Sequence, residues 1–123
     1  MVRVIPFKDT VSASSEKTAV SKRIPFPYLI KNVKIYFPPG SELLTQYKIF
    51  VAGDDSAPAT GEPSGDNVFG TLGQVSYFVG DNSWIDMDAD FLVQESNTFL
   101  KVYINNTDSW DHTLICLITL LQV

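Results

Sequence analysis

From Thr113 to Val123 the chain runs Thr-Leu-Ile-Cys-Leu-Ile-Thr-Leu-Leu-Gln-Val, apolar on both faces of an alternating strand. A strand with one face in water reads apolar in and polar out. Here Leu114, Cys116, Ile118 and Leu120 fall on one face, with Ile115, Leu117, Leu121 and Val123 on the other. Both faces need cover, and a chain of 123 residues can build only a modest core of its own. The segment therefore demands a layered β fold, and its surplus of apolar surface points to assembly. Leu114, Cys116, Ile118 and Leu120 are the candidate interface residues.

Upstream, no segment carries helical periodicity, and strands are marked off by Pro, Gly, Asn and Asp clusters. Val2–Phe7 reads as a short edge arm, and Thr18–Phe26 as a strand that Pro25 and Pro27 confine to an edge or corner. Leu29–Phe37 is amphipathic: Val33, Ile35 and Phe37 share one face, Asn32, Lys34 and Tyr36 the other. It ends at Pro38-Pro39-Gly40, a turn signal, and Tyr47–Ala52 is expected to pair next. Gln74–Val79, Trp84–Val93 and Thr98–Asn105 are further strands, and the last of these should form an antiparallel hairpin with the closing strand. Gly53–Gly73 is long, irregular and rich in Gly, Pro and Asp. A loop of that length in a compact domain is unusual. It reads as an exposed tip, with Phe69–Leu72 as a short strand inside it.

About eight short strands without helices predict an all-β fold, an antiparallel two-sheet sandwich, with a jelly roll first and an immunoglobulin-like sandwich second. Residues 1–17 read as an N-terminal arm or edge strand, and 18–123 as a single β-sandwich domain.

Charge and cysteine content narrow the function. The net charge is −5, and the nine basic residues are scattered, with Lys22 and Arg23 the one adjacent pair. Nucleic-acid binding needs clustered Lys and Arg, so no nucleic-acid partner is expected. The apolar C-terminal stretch of about eleven residues is short of the roughly twenty a membrane helix needs, and no membrane partner is expected either. No secretory signature opens the chain. A single cysteine, Cys116, excludes an internal disulfide and reads as a buried core residue.

Asp86-x-Asp88-x-Asp90 resembles the start of a calcium loop, but Phe91 stands at the sixth position, where the turn needs Gly, and Asn97 at the twelfth, where a bidentate Glu belongs. As a strand, the same spacing gives one exposed acidic face, and no metal or cofactor is expected. His112 is the only histidine, too few for a histidine-rich metal site. With Asp108 and Asp111 it suggests acid–base chemistry, yet no nucleophile accompanies them, so a hydrogen bond to a loop backbone group is the expected role. Trp84 and Trp110 flank polar turns. They are expected to cap the ends of the core, and they are also the candidate ligand-binding residues, as a stacking platform for sugars.

One longer pattern stands out. Ile-Pro-Phe-Pro-Tyr-Leu-Ile-Lys-Asn-Val-Lys-Ile-Tyr-Phe-Pro-Pro-Gly (24–40) precedes a strand Tyr-Lys-Ile-Phe-Val, and Lys-Val-Tyr-Ile-Asn-Asn-Thr-Asp-Ser-Trp-Asp-His-Thr (101–113) leads into the apolar strand. This resembles small jelly-roll virion proteins of phages and archaeal viruses, which assemble as capsid, decoration or spike components. The resemblance implies a virion structural protein rather than an enzyme. Such a protein acts by self-association as a trimer or dimer, with other virion proteins as further partners. A carbohydrate-binding module using the loop aromatics is the alternative.

Overall fold

The computed structural model describes residues 2–73 and 76–123. Eight strands and a one-turn helix follow one another: β1 (Val2–Val11), β2 (Ser15–Val20), β3 (Tyr28–Phe37), β4 (Thr45–Ala52), β5 (Asp66–Asn67), α1 (Val68–Thr71), β6 (Ser83–Val93), β7 (Phe99–Asn106) and β8 (His112–Gln122). They form two four-stranded sheets, ordered β1-β8-β3-β6 and β2-β7-β4-β5. The antiparallel pairs β1·β8, β2·β7, β3·β6 and β4·β5 nest inside one another. The chain is thus one long hairpin rolled up on itself, which is the strand order of the eight-stranded jelly roll.

The nested pairing corrects two expectations. β7 and β8 lie in different sheets and do not form a hairpin, and β4 pairs with β7 and β5 rather than with β3. Alternation identifies the buried face of a strand but not its neighbour. Except for the β4–β5 link, each connection here crosses the gap between sheets, so most consecutive strands face each other through the core instead of lying side by side.

That core is built from the inward halves of the alternating strands. Ile30, Val33, Ile35 and Phe37 from one sheet meet Tyr47, Ile49, Leu100, Val102 and Ile104 from the other, all essentially inaccessible. Leu114, Cys116, Ile118 and Leu120 join them, each at most 1% exposed. The face proposed as an interface is therefore interior, and the outward set of β8 carries the uncovered surface. Phe7 and Val11 of β1 also reach the core, so the sandwich includes the N-terminal segment, and β2 runs across position 17–18.

A bulge adjusts the register in the middle of the first sheet. The pairing of β3 with β6 shifts between Ile30 and Asn32, and Asp90 takes a positive φ of 60° opposite it. One extra residue flips the side-chain sense of β3, so that Tyr28 and Ile30 point inward although Val33, Ile35 and Phe37 do too.

The Gly53–Gly73 segment is largely exposed, as expected, but its first part is not a free tip. Its first part folds down over the outer face of the second sheet, where Lys101, wholly buried, holds it. The Lys101 Nζ donates to Asp54 Oδ1 at 2.8 Å, Ser64 Oγ at 3.1 Å and Ser56 Oγ at 3.3 Å. Glu16 accepts from the Gly61 N–H at 2.6 Å and from the Tyr103 hydroxyl at 2.7 Å, while Lys48 pairs with Glu62 at 3.1 Å. Phe69 opens no strand either. Val68–Thr71 is a helical turn, capped by the Asn67 side chain accepting from the Gly70 N–H at 2.9 Å. The expected strand at Gln74–Val79 falls partly outside the described residues, and its described part bridges to β4 at Phe78 and Tyr47.

Candidate assembly surface

Among the described residues the first sheet has no such lid. Along β8 the outward residues Ile115, Leu117, Thr119 and Leu121 are only half-buried. Register places their neighbours. Leu121 lies between Val2 of β1 and Leu29 of β3, and Leu29 in turn faces Leu92 of β6. An aliphatic row thus crosses the whole sheet at one end, with Val2 and Leu92 at its two edges 64% and 48% exposed. Pro6 stands beside Leu117, and Val4 beside Thr119. Pro6 has no N–H to add to a ladder, and a proline on an edge strand discourages another strand from pairing there.

Toward β6 the same face turns polar. Asp86, Asp88 and Asp90 project outward from an exposed strand, as their spacing predicts. The Asn32 amide donates to Asp86 Oδ1 at 2.6 Å and Asp88 Oδ1 at 3.1 Å; Lys31 pairs with Asp90 at 2.8 Å and Lys34 with Asp86 at 3.9 Å. The acidic row is thus answered from β3, the neighbouring strand, by Asn32 and Lys34 two residues apart and by Lys31, which the bulge brings to the same face. Among the described residues no group of three His, Cys, Asp or Glu side chains is arranged to hold a metal ion.

The tryptophans do not cap the core. Trp84 is 50% exposed at the start of β6, its ring 5.2 Å from that of Tyr36 and tilted by 42°. Trp110 is 72% exposed in the β7–β8 turn. Trp84 lies on a strand and Trp110 in a turn, and among the described residues their rings do not stack on each other. Phe69 packs edge to face against Phe78 at 4.9 Å within the core.

His112 is buried, and its Nε2–H donates to Asp108 Oδ2 at 2.7 Å, a side-chain partner rather than the backbone one expected. That hydrogen bond, with burial opposing it and the Ser109 N–H adding to it, holds the Asp108 carboxyl below its ordinary range. Asp111 takes no part; it accepts from the Ala13 N–H at 2.8 Å. Beneath the pair, the Asn106 amide donates to the carbonyls of Trp110 (2.8 Å), Val11 (3.1 Å) and Ser12 (3.3 Å). Asn106 and His112 therefore lock the β7–β8 turn to the end of β1, which is a structural task.

Reading the sequence missed Lys101 as a buried clamp. Its position on the outward face of β7 was legible from alternation, but nothing near it in sequence announces Asp54, whose carboxylate it needs.

No family model matches the chain, and no curated protein matches it. Solved structures do. A chain of the cyanophage Pam1 capsid asymmetric unit is 18% identical with a TM-score of 0.54, covering 99% of this chain and 85% of that one. The infectious bursal disease virus VP2 subviral particle gives 9% identity and a TM-score of 0.51, covering 99% of this chain, which spans 32% of the VP2 chain. TmCBM61, solved in complex with β-1,4-galactotriose, gives 10% identity and a TM-score of 0.48 over 99% and 88% of the two chains. The rolled-hairpin sandwich of this chain is a fold it shares with phage and viral capsid proteins.

Proposed function

We propose that this chain is a non-enzymatic structural component of a virion and works by self-association, as a dimer or trimer, together with other virion proteins. The observation that carries the reading is the unequal treatment of its two sheets. The outer face of β2-β7-β4-β5 is closed by the chain's own loop, whereas that of β1-β8-β3-β6 is left bare with Val2, Val4, Leu92, Leu117 and Leu121 on it. Contiguous apolar surface of this kind marks interaction sites. The one histidine is committed to Asp108 under a turn, which gives an enzymatic reading no support. Sedimentation velocity on the full chain at micromolar concentration is the test. A multimer that Leu117→Glu disperses is expected, and a monomer throughout would overturn the reading.

Carbohydrate binding is the second reading, favoured by the half-exposed Trp84 on Tyr36, with Lys34 and Asp86 the next pair along the same face. An aromatic face next to polar groups suits a sugar ring. A glycan array in which Trp84→Ala abolishes a hit, while Trp110→Ala leaves it unchanged, would support this arrangement.

A further inference from the structure

The two open sides of the sandwich carry opposite charge. On one side the edges of β1 and β2 flank a groove of about 540 Å³ that reaches down to core residues, with Ile5, Phe7 and Ile24 in its wall. Every titratable side chain lining it is a cation: Arg3, Lys22 and Arg23, all exposed. These are three of the nine basic residues of a chain whose net charge is −5. Among the described residues none of the three has a carboxylate partner, and the Arg3 guanidinium lies 5.1 Å from the centre of the Phe26 ring instead. On the other side, the edges of β5 and β6 flank a smaller groove of about 200 Å³. Its titratable groups are Asp66 and Glu95, both exposed, around Phe91 and the half-exposed Leu92.

We infer that copies of this chain associate head to tail, the acidic β5–β6 edge of one seating in the basic β1–β2 groove of the next. The inference rests on the assembly reading above and adds its polarity. A basic concave edge and an acidic edge bearing an exposed leucine sit on opposite sides of one molecule, so neither can satisfy the other within a chain. Between chains they are complementary in sign, and Leu92 supplies an apolar side chain for a groove with an apolar wall. Complementary charge of this type selects the partner and sets the register of a contact. A contact between two different patches is heterologous: it closes into a ring when the rotation per copy divides a full turn and otherwise runs on as a chain. Pro6 on β1 keeps the contact from becoming a continuous sheet, since the incoming strand finds no N–H there.

Two charge-reversed variants of the full chain test this. Lys22→Glu with Arg23→Glu makes both sides acidic; Asp66→Lys with Glu95→Lys makes both basic. Each alone should self-associate at least about tenfold more weakly than the wild type, and an equimolar mixture should recover the assembly by alternation, read by sedimentation velocity and native mass. Wild-type assembly should also weaken as salt rises to about 0.5 M, because exposed charges are screened; that measurement needs no substitution. If the wild type assembles while both variants assemble equally well, or if the mixture does not recover, the edge contact is wrong and the bare sheet face carries assembly. Assembly indifferent to salt would also overturn the edge contact. A wild type that stays monomeric would remove both.

Discussion

Lys101 and Asp54 form an ion pair with unequal partners: the ammonium is wholly buried and the carboxylate is half-exposed. Removing the lysine leaves a carboxylate that water can reach, whereas removing the aspartate strands a buried cation among two serine hydroxyls. Asp54→Ala is therefore expected to lower the urea midpoint of unfolding more than Lys101→Met does; the reverse order would show that the lysine is not buried in solution. The hydrogen bond from Lys101, with further ones from Ser56 and Ser64, holds the Asp54 carboxyl far below its ordinary value. A carboxylate lowered in the folded state contributes stability that is complete above the unfolded value of about 3.9 and is lost as pH falls through it toward the folded value. Stability should thus decline below about pH 4, and Asp54→Asn should flatten part of that decline, leaving the share that belongs to Asp108. Cys116 gives an independent check on which face of β8 is core. Burial pushes its thiol up to about 12, so it should resist thiol reagents in the native protein and react only on unfolding. Rapid native labelling would place that face at the surface.

At the scale of elements, the lid over the second sheet depends on how it re-enters the sandwich. Gly65 has φ +121°, and a Cβ there would lie 2.5 Å from the Val51 carbonyl oxygen. Gly65→Ala should cost more than about 1 kcal/mol, and it should also expose residues 53–65 to limited proteolysis, because the lid can no longer close against β4. If melting and cleavage are unchanged, the turn is more tolerant than its backbone suggests. What could be read in advance divides along the same line. Strands β3, β6 and β7 and their inward faces were legible because period-2 alternation is local, whereas β8 was legible as a strand but not for its inward face, both of its faces being apolar. The partner sheets were not, since the same alternation fits either neighbour. The helical turn at Val68 is too short for periodicity, although Asn67 three residues before Gly70 is a capping signal. The lid was read as a free loop because its anchors, Glu16 and Lys101, come from strands far away in sequence. For the surface, composition correctly indicated surplus apolar area on β8, but the face assigned to an interface is the one the chain buries itself.

For the whole molecule, the nested pairing has a kinetic consequence. The edge pair β1·β8 sets Val2 against Leu121, so this contact closes a loop of almost the entire chain, while β4·β5 closes a much shorter one. Loop-closure entropy must be met before long-range pairs repay it, and β topologies of this kind fold in milliseconds to seconds. The order of nesting suggests that β4, β5 and their neighbours pair first and β1 joins last. Phe7, buried on β1, is a probe of that final step. Phe7→Ala should destabilise the protein by about 3 kcal/mol, and nearly all of the loss should appear as faster unfolding, with the refolding rate little changed. Far-UV circular dichroism after denaturant dilution is the suitable signal, because Trp84 and Trp110 are both exposed in the native state and report little on burial. A matching slowdown of refolding would mean that β1 already sits against β8 in the transition state, and the rolled hairpin would then close from its open end rather than from its tip.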